Sequence, residues 1–134
     1  MKTVLVTGAS GNLGRDVVEH LHQQGYAILA TFSSGREVGL FAHLPQVKTQ
    51  IVNVLDEESV SAFMEDNESA TIRAAVLLVG GFAMGSIQET DADLLHRMYQ
   101  LNFLSAFNVV KALIARFEQR GGGQFILIGA RPSL

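Results

Sequence analysis

The segment Thr7-Gly8-Ala9-Ser10-Gly11-Asn12-Leu13-Gly14 follows an apolar run, Val4 to Thr7, and opens a helical pattern. A glycine triplet at the first strand-to-helix junction admits few folds. Gly8 permits a tight turn out of the strand. Gly11 lets the backbone approach a pyrophosphate with no Cβ in the way, and Gly14 lets the helix pack close to the sheet. The start of that helix offers unpaired amides and the positive end of its dipole to an anion. Ser10, Asn12 and Leu13 complete this candidate dinucleotide-binding turn, shaping the loop and touching phosphate.

Beyond the turn, short apolar runs alternate with helical patterns. Leu13, Val17, Val18 and Leu21 share one helix face that stops near Gly25. Tyr26–Thr31 reads as a second strand, Ser33-Ser34-Gly35 as a turn, Glu37–Leu44 as a short helix ended by Pro45, and Val47–Val54 as a third strand. Asp56 caps a helix with Glu57 and Glu58 in its first turn and Val60, Phe63 and Met64 inward. Ala74–Val79 is a fourth strand, ended by Gly80-Gly81. Thr90 and Asp93 fit a capping box for a long helix over Ala92–Glu118, and Gln124–Ile128 is a fifth strand. Apolar strands separated by helices predict a doubly wound parallel α/β sheet, Rossmann-like, with five strands in order 3-2-1-4-5. The ligand crevice then lies at the carboxyl ends of strands one and four.

A length of 134 residues predicts one domain, residues 1–134. A net charge of −3 gives no footprint for nucleic acid or an anionic membrane. There is no cysteine, and His20, His22, His43 and His96 form no ligand-spaced cluster, so no metal site is expected. The apolar run after Lys2 is too short for a signal peptide, and none is long enough to span a bilayer, so the chain reads as cytoplasmic.

The glycine spacing and the order of elements resemble the short-chain dehydrogenase/reductase family over the whole chain. The resemblance implies hydride transfer between a nicotinamide cofactor and a carbonyl or alcohol. It makes Asn53-Val54 the counterpart of an Asp-Val pair that meets the adenine ring, and an Asn amide can still accept from the adenine amino group. Of the family's Asn-Asn-Ala-Gly run at the fourth strand only Gly80 matches, within Leu77-Leu78-Val79-Gly80, and Gly81–Gly85 resembles the loop that follows. Asn102 matches the helical Asn that helps place a catalytic Lys through water, and its neighbours Leu101, Phe103 and Leu104 suggest a buried place.

The chain also departs from the family pattern. Ala130, after Gly129, stands where the family carries its catalytic Ser, a Gly-Ala pair similar to the dihydropteridine-reductase branch; Ser133 lies past that position and reads as tail. Tyr26 and Tyr99 have no Lys four residues on, so the family's Tyr-x-x-x-Lys pair is not found. The chain thus resembles the family fold truncated before its C-terminal part. It is expected to bind the dinucleotide without reducing a carbonyl alone, a small-molecule substrate requiring the missing residues. A non-catalytic nucleotide-binding module, sensor or remnant, is the alternative, and a nucleotide-sugar or flavin-reducing relative a third.

Residues at the end of the second strand choose the cofactor: an acid binds the ribose 2′-hydroxyl of NAD, and Arg or small polar residues accept the 2′-phosphate of NADP. Ser33 and Ser34 hold that region, Arg36 lies just beyond, Arg15 could add a second charge, and no acid occurs before Glu37. NADP is therefore expected over NAD. The long helix is apolar on more than one face, which predicts a homo-oligomer through residues 92–118, with Phe103, Phe107, Val110 and Phe117 as the seam.

Overall fold

The computed structural model describes residues 2–65 and 70–130. Five parallel strands form one sheet in the order β3-β2-β1-β4-β5, as the alternation of elements predicts. They are β1 (Thr3–Thr7), β2 (Ala27–Phe32), β3 (Val47–Ile51), β4 (Ile72–Leu77) and β5 (Gln124–Leu127). Every residue of β1 is buried. Val4 and Val6 face a core shared with Val18, Ile28, Ala30, Phe32, Phe41 and Val76. Leu5 faces the other core, with Val52, Val60, Phe63, Leu113 and Phe117. A strand buried on both faces has no polar side to show, which is why β1, β2 and most of β4 read as continuous apolar runs. The edges differ. β3 exposes Lys48 and Gln50, and β5 exposes Ile126 and Leu127, so neither outer strand is apolar-and-buried throughout.

Helix α1 (Asn12–Gln23) runs back over the first core, burying Val18. It ends in a doubly bonded cap: Gly25 donates to the His22 carbonyl at 3.0 Å and Tyr26 to the Leu21 carbonyl at 3.1 Å. That pattern needs a left-handed residue, and Gly25 supplies it at φ +88°. Helix α2 (Glu57–Glu65) covers the second core through Val60, Phe63 and Met64. As expected, Asp56 opens it, its side chain accepting from the Glu58 amide at 3.2 Å.

Three helical expectations are corrected. Glu37–Leu44 is not an α-helix: a 3-10 turn covers Gly35–Glu37, and successive turns follow. Amides of Leu40, Ala42 and Leu44 each bond three residues back. Eight residues containing Gly39 and stopped by Pro45 cannot offset the cost of nucleating a helix, and the segment is instead held by buried Phe41. Second, the cap at the long helix is Asp91, which accepts from the Leu94 amide at 2.8 Å. The capping box lies one turn earlier, between Ser86 and Glu89 on the 3-10 turn Ile87–Glu89, and the Thr90 hydroxyl donates to the Ser86 carbonyl. Third, the long helix is not uniform. It comprises α3 (Ala92–Tyr99), a π-helical segment (Gln100–Leu104) and α4 (Ser105–Gln119). The Ser105 amide bonds the Gln100 carbonyl, five residues back.

Backbone packs closely against backbone at Gly14. A Cβ there would lie 2.3 Å from the Gly8 carbonyl oxygen and 2.8 Å from the Ala9 backbone. Backbone cannot yield as a side-chain tip can, so α1 would have to move off the sheet. Gly14→Ala is expected to cost about 1–3 kcal/mol, the range for overpacking, and to lower the denaturant midpoint at unchanged m. A Gly14→Ala protein as stable as the parent would show that α1 is not seated on this contact.

Candidate functional site

β1 neighbours both β2 and β4, so the chain changes its winding direction beside it. The crevice that results opens at the carboxyl ends of the strands. It holds a groove of about 330 Å³ lined by the glycine turn (Gly8, Ser10, Gly11), the end of β2 (Phe32, Ser33), the segment after β3 (Val52–Leu55) and the end of β4 (Leu78, Val79, Gly80). A second groove of about 450 Å³ continues past Gly80 and Gly81, between Leu13 and Asn102, to Leu127, Gly129 and Ala130. Another, of about 320 Å³, lies at the opposite ends of the strands beside Thr3, Pro45 and Thr71, away from the glycine turn.

The glycine turn is pinned on both sides. The Ala9 amide bonds the Thr31 carbonyl of β2 at 3.1 Å, and Leu78 beyond β4 donates to the Thr7 carbonyl at 3.3 Å. Gly8 sits at φ +64°, and a Cβ there would meet the Leu78 carbonyl carbon at 2.9 Å. Gly11 is different. Its backbone is extended, and a Cβ would meet nothing closer than the Gly8 oxygen at 3.5 Å. Two glycines are therefore required by the fold itself, whereas Gly11 keeps clear the space over the turn. Gly11 is also the N-cap of α1, and no side chain caps that helix or places an acid in its first turn. The first-turn amides are thus left to an anion.

The other groove residues are held by short-range polar contacts. The Asn53 side-chain oxygen accepts from the Leu55 amide at 3.1 Å, and the Asn53 amide donates to the Ser59 hydroxyl at 3.0 Å. This closes a tight turn that places Asn53 and Val54 in the wall and leaves the Asn53 oxygen one free lone pair. Asn108, which sequence reasoning missed, is buried in α4 and donates to the Val54 carbonyl at 2.9 Å. The available signal was a polar side chain beside Val109 and Leu113, on the stripe that packs inward. Ser34 caps the 3-10 turn by accepting from the Arg36 amide at 3.3 Å, and Arg36 itself is exposed. Arg15 donates from Nε to the Ser10 carbonyl at 3.0 Å, and its guanidinium lies 3.9 Å from the Glu37 carboxylate.

Asn102 is exposed, not buried as its apolar neighbours suggest. The reason is the π segment, which shifts the helical register and turns this side chain toward the crevice. Its carboxamide grips one residue from both sides: the oxygen accepts from the Gly81 amide at 3.0 Å and the nitrogen donates to the Gly81 carbonyl at 2.8 Å. The same nitrogen donates to the Met98 carbonyl at 3.0 Å, one of the backbone acceptors that the register shift disturbs. Ser105 does likewise for the Leu101 carbonyl at 2.7 Å. Ala130 lies across the crevice from this clamp, and Ser133 lies outside the described residues. Arg120 has its pKa lowered, first by burial and then by Arg73 and Arg116, but it donates to the Ala70 carbonyl and lines neither groove of the crevice.

The clamp predicts an order of substitutions. Asn102→Ala removes three hydrogen bonds at an exposed position and is expected to cost about 1 kcal/mol. Asn102→Asp, although nearly isosteric, sets a carboxylate against the Gly81 and Met98 carbonyls and is expected to cost more, about 2–3 kcal/mol. Urea denaturation of the two variants is the check; an aspartate variant at least as stable as the alanine one would refute the clamp.

The model of the family described as short chain dehydrogenase matches residues 2–132. The chain is similar to the uncharacterized oxidoreductase YmfI of Bacillus subtilis (strain 168), with 25% identity over 138 residues, 96% of this chain and 56% of that protein. It is similar also to 3-oxoacyl-(acyl-carrier-protein) reductase FabG of Haemophilus influenzae, with 26% identity over 133 residues, 96% of this chain and 55% of the reductase. The solved structure of ElxO with NADP bound has the same fold, at a TM-score of 0.89 and 20% identity, over 96% of this chain and 55% of ElxO. The chain spans about half the length of the curated relatives that it matches.

Proposed function

The chain belongs to the short-chain dehydrogenase family, and on that premise we propose that it is the NADP(H)-binding portion of an oxidoreductase acting on a carbonyl or alcohol. The observation that carries the proposal is Gly11, a glycine that the fold does not need. The space it leaves open lies over uncapped helix amides, at the mouth of a groove of suitable size for a nucleotide. Gly8, Ser10, Gly11, Asn12, Leu13 and Gly14 would hold the pyrophosphate. Asn53 and Val54 would bound the adenine, and Gly80 and Gly81 would face the nicotinamide half. Ser33, Ser34, Arg15 and Arg36 would meet the 2′-phosphate, since small polar residues and Arg suit that group. ElxO holds NADP in the same fold, which favours NADP over NAD here. The bound nicotinamide supplies or takes a hydride. Hydride delivered to a carbonyl carbon leaves an alkoxide oxygen to which the protein must supply a proton, and in the reverse direction the protein must take the proton of the alcohol. Ala130 offers none, and residues 1–134 hold no Tyr-x-x-x-Lys pair.

The Gly129-Ala130 pair, with no hydroxyl where the family carries its catalytic Ser, favours a second reading, a nucleotide-binding module without catalysis. Calorimetric titration with NADPH and an absorbance assay with ketones, aldehydes and quinones address both readings. NADPH is expected to bind the 134-residue chain without steady turnover. Gly11→Asp is expected to abolish binding, because a carboxylate would oppose the pyrophosphate, while leaving stability within about 0.5 kcal/mol, as for a surface change. Undiminished affinity in Gly11→Asp would refute the site, and turnover by pure chain would refute the second reading.

The same long helix supports self-association through α3 and α4, along a face that differs from the expected seam. Phe117 is buried in the core beside Phe125, and Val110 packs against that core, so neither is free to form an interface. Leu95, Tyr99, Phe103, Phe107 and Ile114 are exposed instead. Tyr99, Phe103 and Phe107 stack in a ladder with ring centroids 5.6 and 6.4 Å apart. Light scattering should show a dimer or larger species that the double variant Phe103→Glu, Phe107→Glu converts to monomer. A parent chain that is monomeric at high concentration would end this reading.

A further inference from the structure

The loop after β2 is latched to the start of α1 by one ion pair. Glu37 is the last residue of the 3-10 turn Gly35–Glu37, and its carboxylate lies 3.9 Å from the Arg15 guanidinium. Arg15 is itself oriented, because its Nε donates to the Ser10 carbonyl on the far side of the glycine turn. The pair therefore ties the start of α1, beside Ser10 and Gly11, to the turn that follows Phe32 and Ser33, and these four residues line this edge of the groove. This is the edge at which the end of β2 meets the substituent on the adenosine ribose. The Glu37 and Arg15 side chains are 35% and 48% exposed, so the pair is solvated and weak. A phosphate dianion carries more charge and takes bidentate contacts from Arg, so it can displace such a carboxylate.

We propose that Glu37 determines cofactor specificity: it is an internal counter-anion that occupies Arg15 and competes with the 2′-phosphate of NADP(H), which narrows the margin over NAD(H). This rests on the reading of the groove as a dinucleotide site. NAD(H) carries only a 2′-hydroxyl there and does not contest the Arg15 guanidinium, so the competition falls on one cofactor alone. Glu37 is also the first acid beyond the end of β2, within reach of the arginine that would otherwise favour phosphate.

The test is calorimetric titration of NADPH and NADH into the parent chain, Glu37→Gln, Arg15→Gln and the double variant, at low and at high salt. Glu37→Gln keeps the shape of the side chain and removes its charge. It is expected to tighten NADPH about two- to fivefold, the worth of an exposed ion pair, and to leave NADH within twofold. The gain should shrink at high salt, and it should shrink in the Arg15→Gln background, where no guanidinium is left to release. A parent chain that binds NADPH while Glu37→Gln leaves the NADPH-to-NADH ratio unchanged overturns this inference and leaves the dinucleotide site standing. A weaker NADPH complex in Glu37→Gln overturns it too, by showing that the latch assembles the site. A parent chain that binds neither cofactor overturns the dinucleotide reading and this inference with it.

Discussion

Gly14 packs so closely on the glycine turn that a Cβ would stand 2.3 Å from the Gly8 carbonyl oxygen. That backbone-to-backbone contact seats the first turn of α1 directly over the end of β1. The uncapped start of α1 then lies at the crevice, where its N-cap Gly11 lines the groove. The turn in turn depends on its neighbours. Thr31 and Thr7 carbonyls bind it to β2 and to the segment after β4, so the central strands and the candidate phosphate site form one rigid body. The uncapped amides of α1 therefore need no separate loop to place them.

The opposite wall is set by a different device. The π segment at Gln100–Leu104 turns Asn102 toward the end of β4, where its carboxamide holds both backbone groups of Gly81. Bare glycines at 80 and 81 allow this approach without displacing a side chain: a Cβ on Gly80 would lie 3.0 Å from the Asn102 oxygen and one on Gly81 2.6 Å from a Leu101 methyl. Lower down, Asn108 ties the same helix to the Val54 carbonyl in the groove wall. One interrupted helix thus fixes two of the groove's walls through two asparagines six residues apart. The family resemblance makes Asn102 the helical Asn that helps place a catalytic Lys through water. The contacts seen here are compatible with that role only as positioning, since all of its polar atoms are engaged by backbone.

Local order carried most of the fold. The glycine spacing, the alternation of apolar runs with helical patterns and the right-handed rule for parallel crossovers together specify the strand order 3-2-1-4-5, and the sheet has it. Each of these is a constraint between residues close in sequence, or between successive elements, so it is visible without coordinates. The helix starting at Glu57 and the stop at Gly25 are legible for the same reason: caps are local hydrogen-bond patterns. Segment 37–44 misled because its apolar spacing was helical while its length, Gly39 and Pro45 were not.

What the sequence by itself determined, then, is the nucleotide-type turn, the parallel sheet and the place of the crevice. Tertiary structure decided which way Asn102 points, which aromatic residues of the long helix stay exposed and which arginine is already paired. The motif gives Gly8, Gly11 and Gly14 different tasks, and the distances to Leu78 and Ala9 put the packing demand on Gly8 and Gly14 and none on Gly11. Phe117 and Phe107 look alike on a helix apolar all round, and only the position of the sheet sends one inward and the other to solvent. The Arg15–Glu37 pair joins residues from different elements, the start of α1 and the turn after β2. Such contacts depend on how far apart two elements come to rest, a distance set by the packing of the whole core and by no stretch of sequence alone.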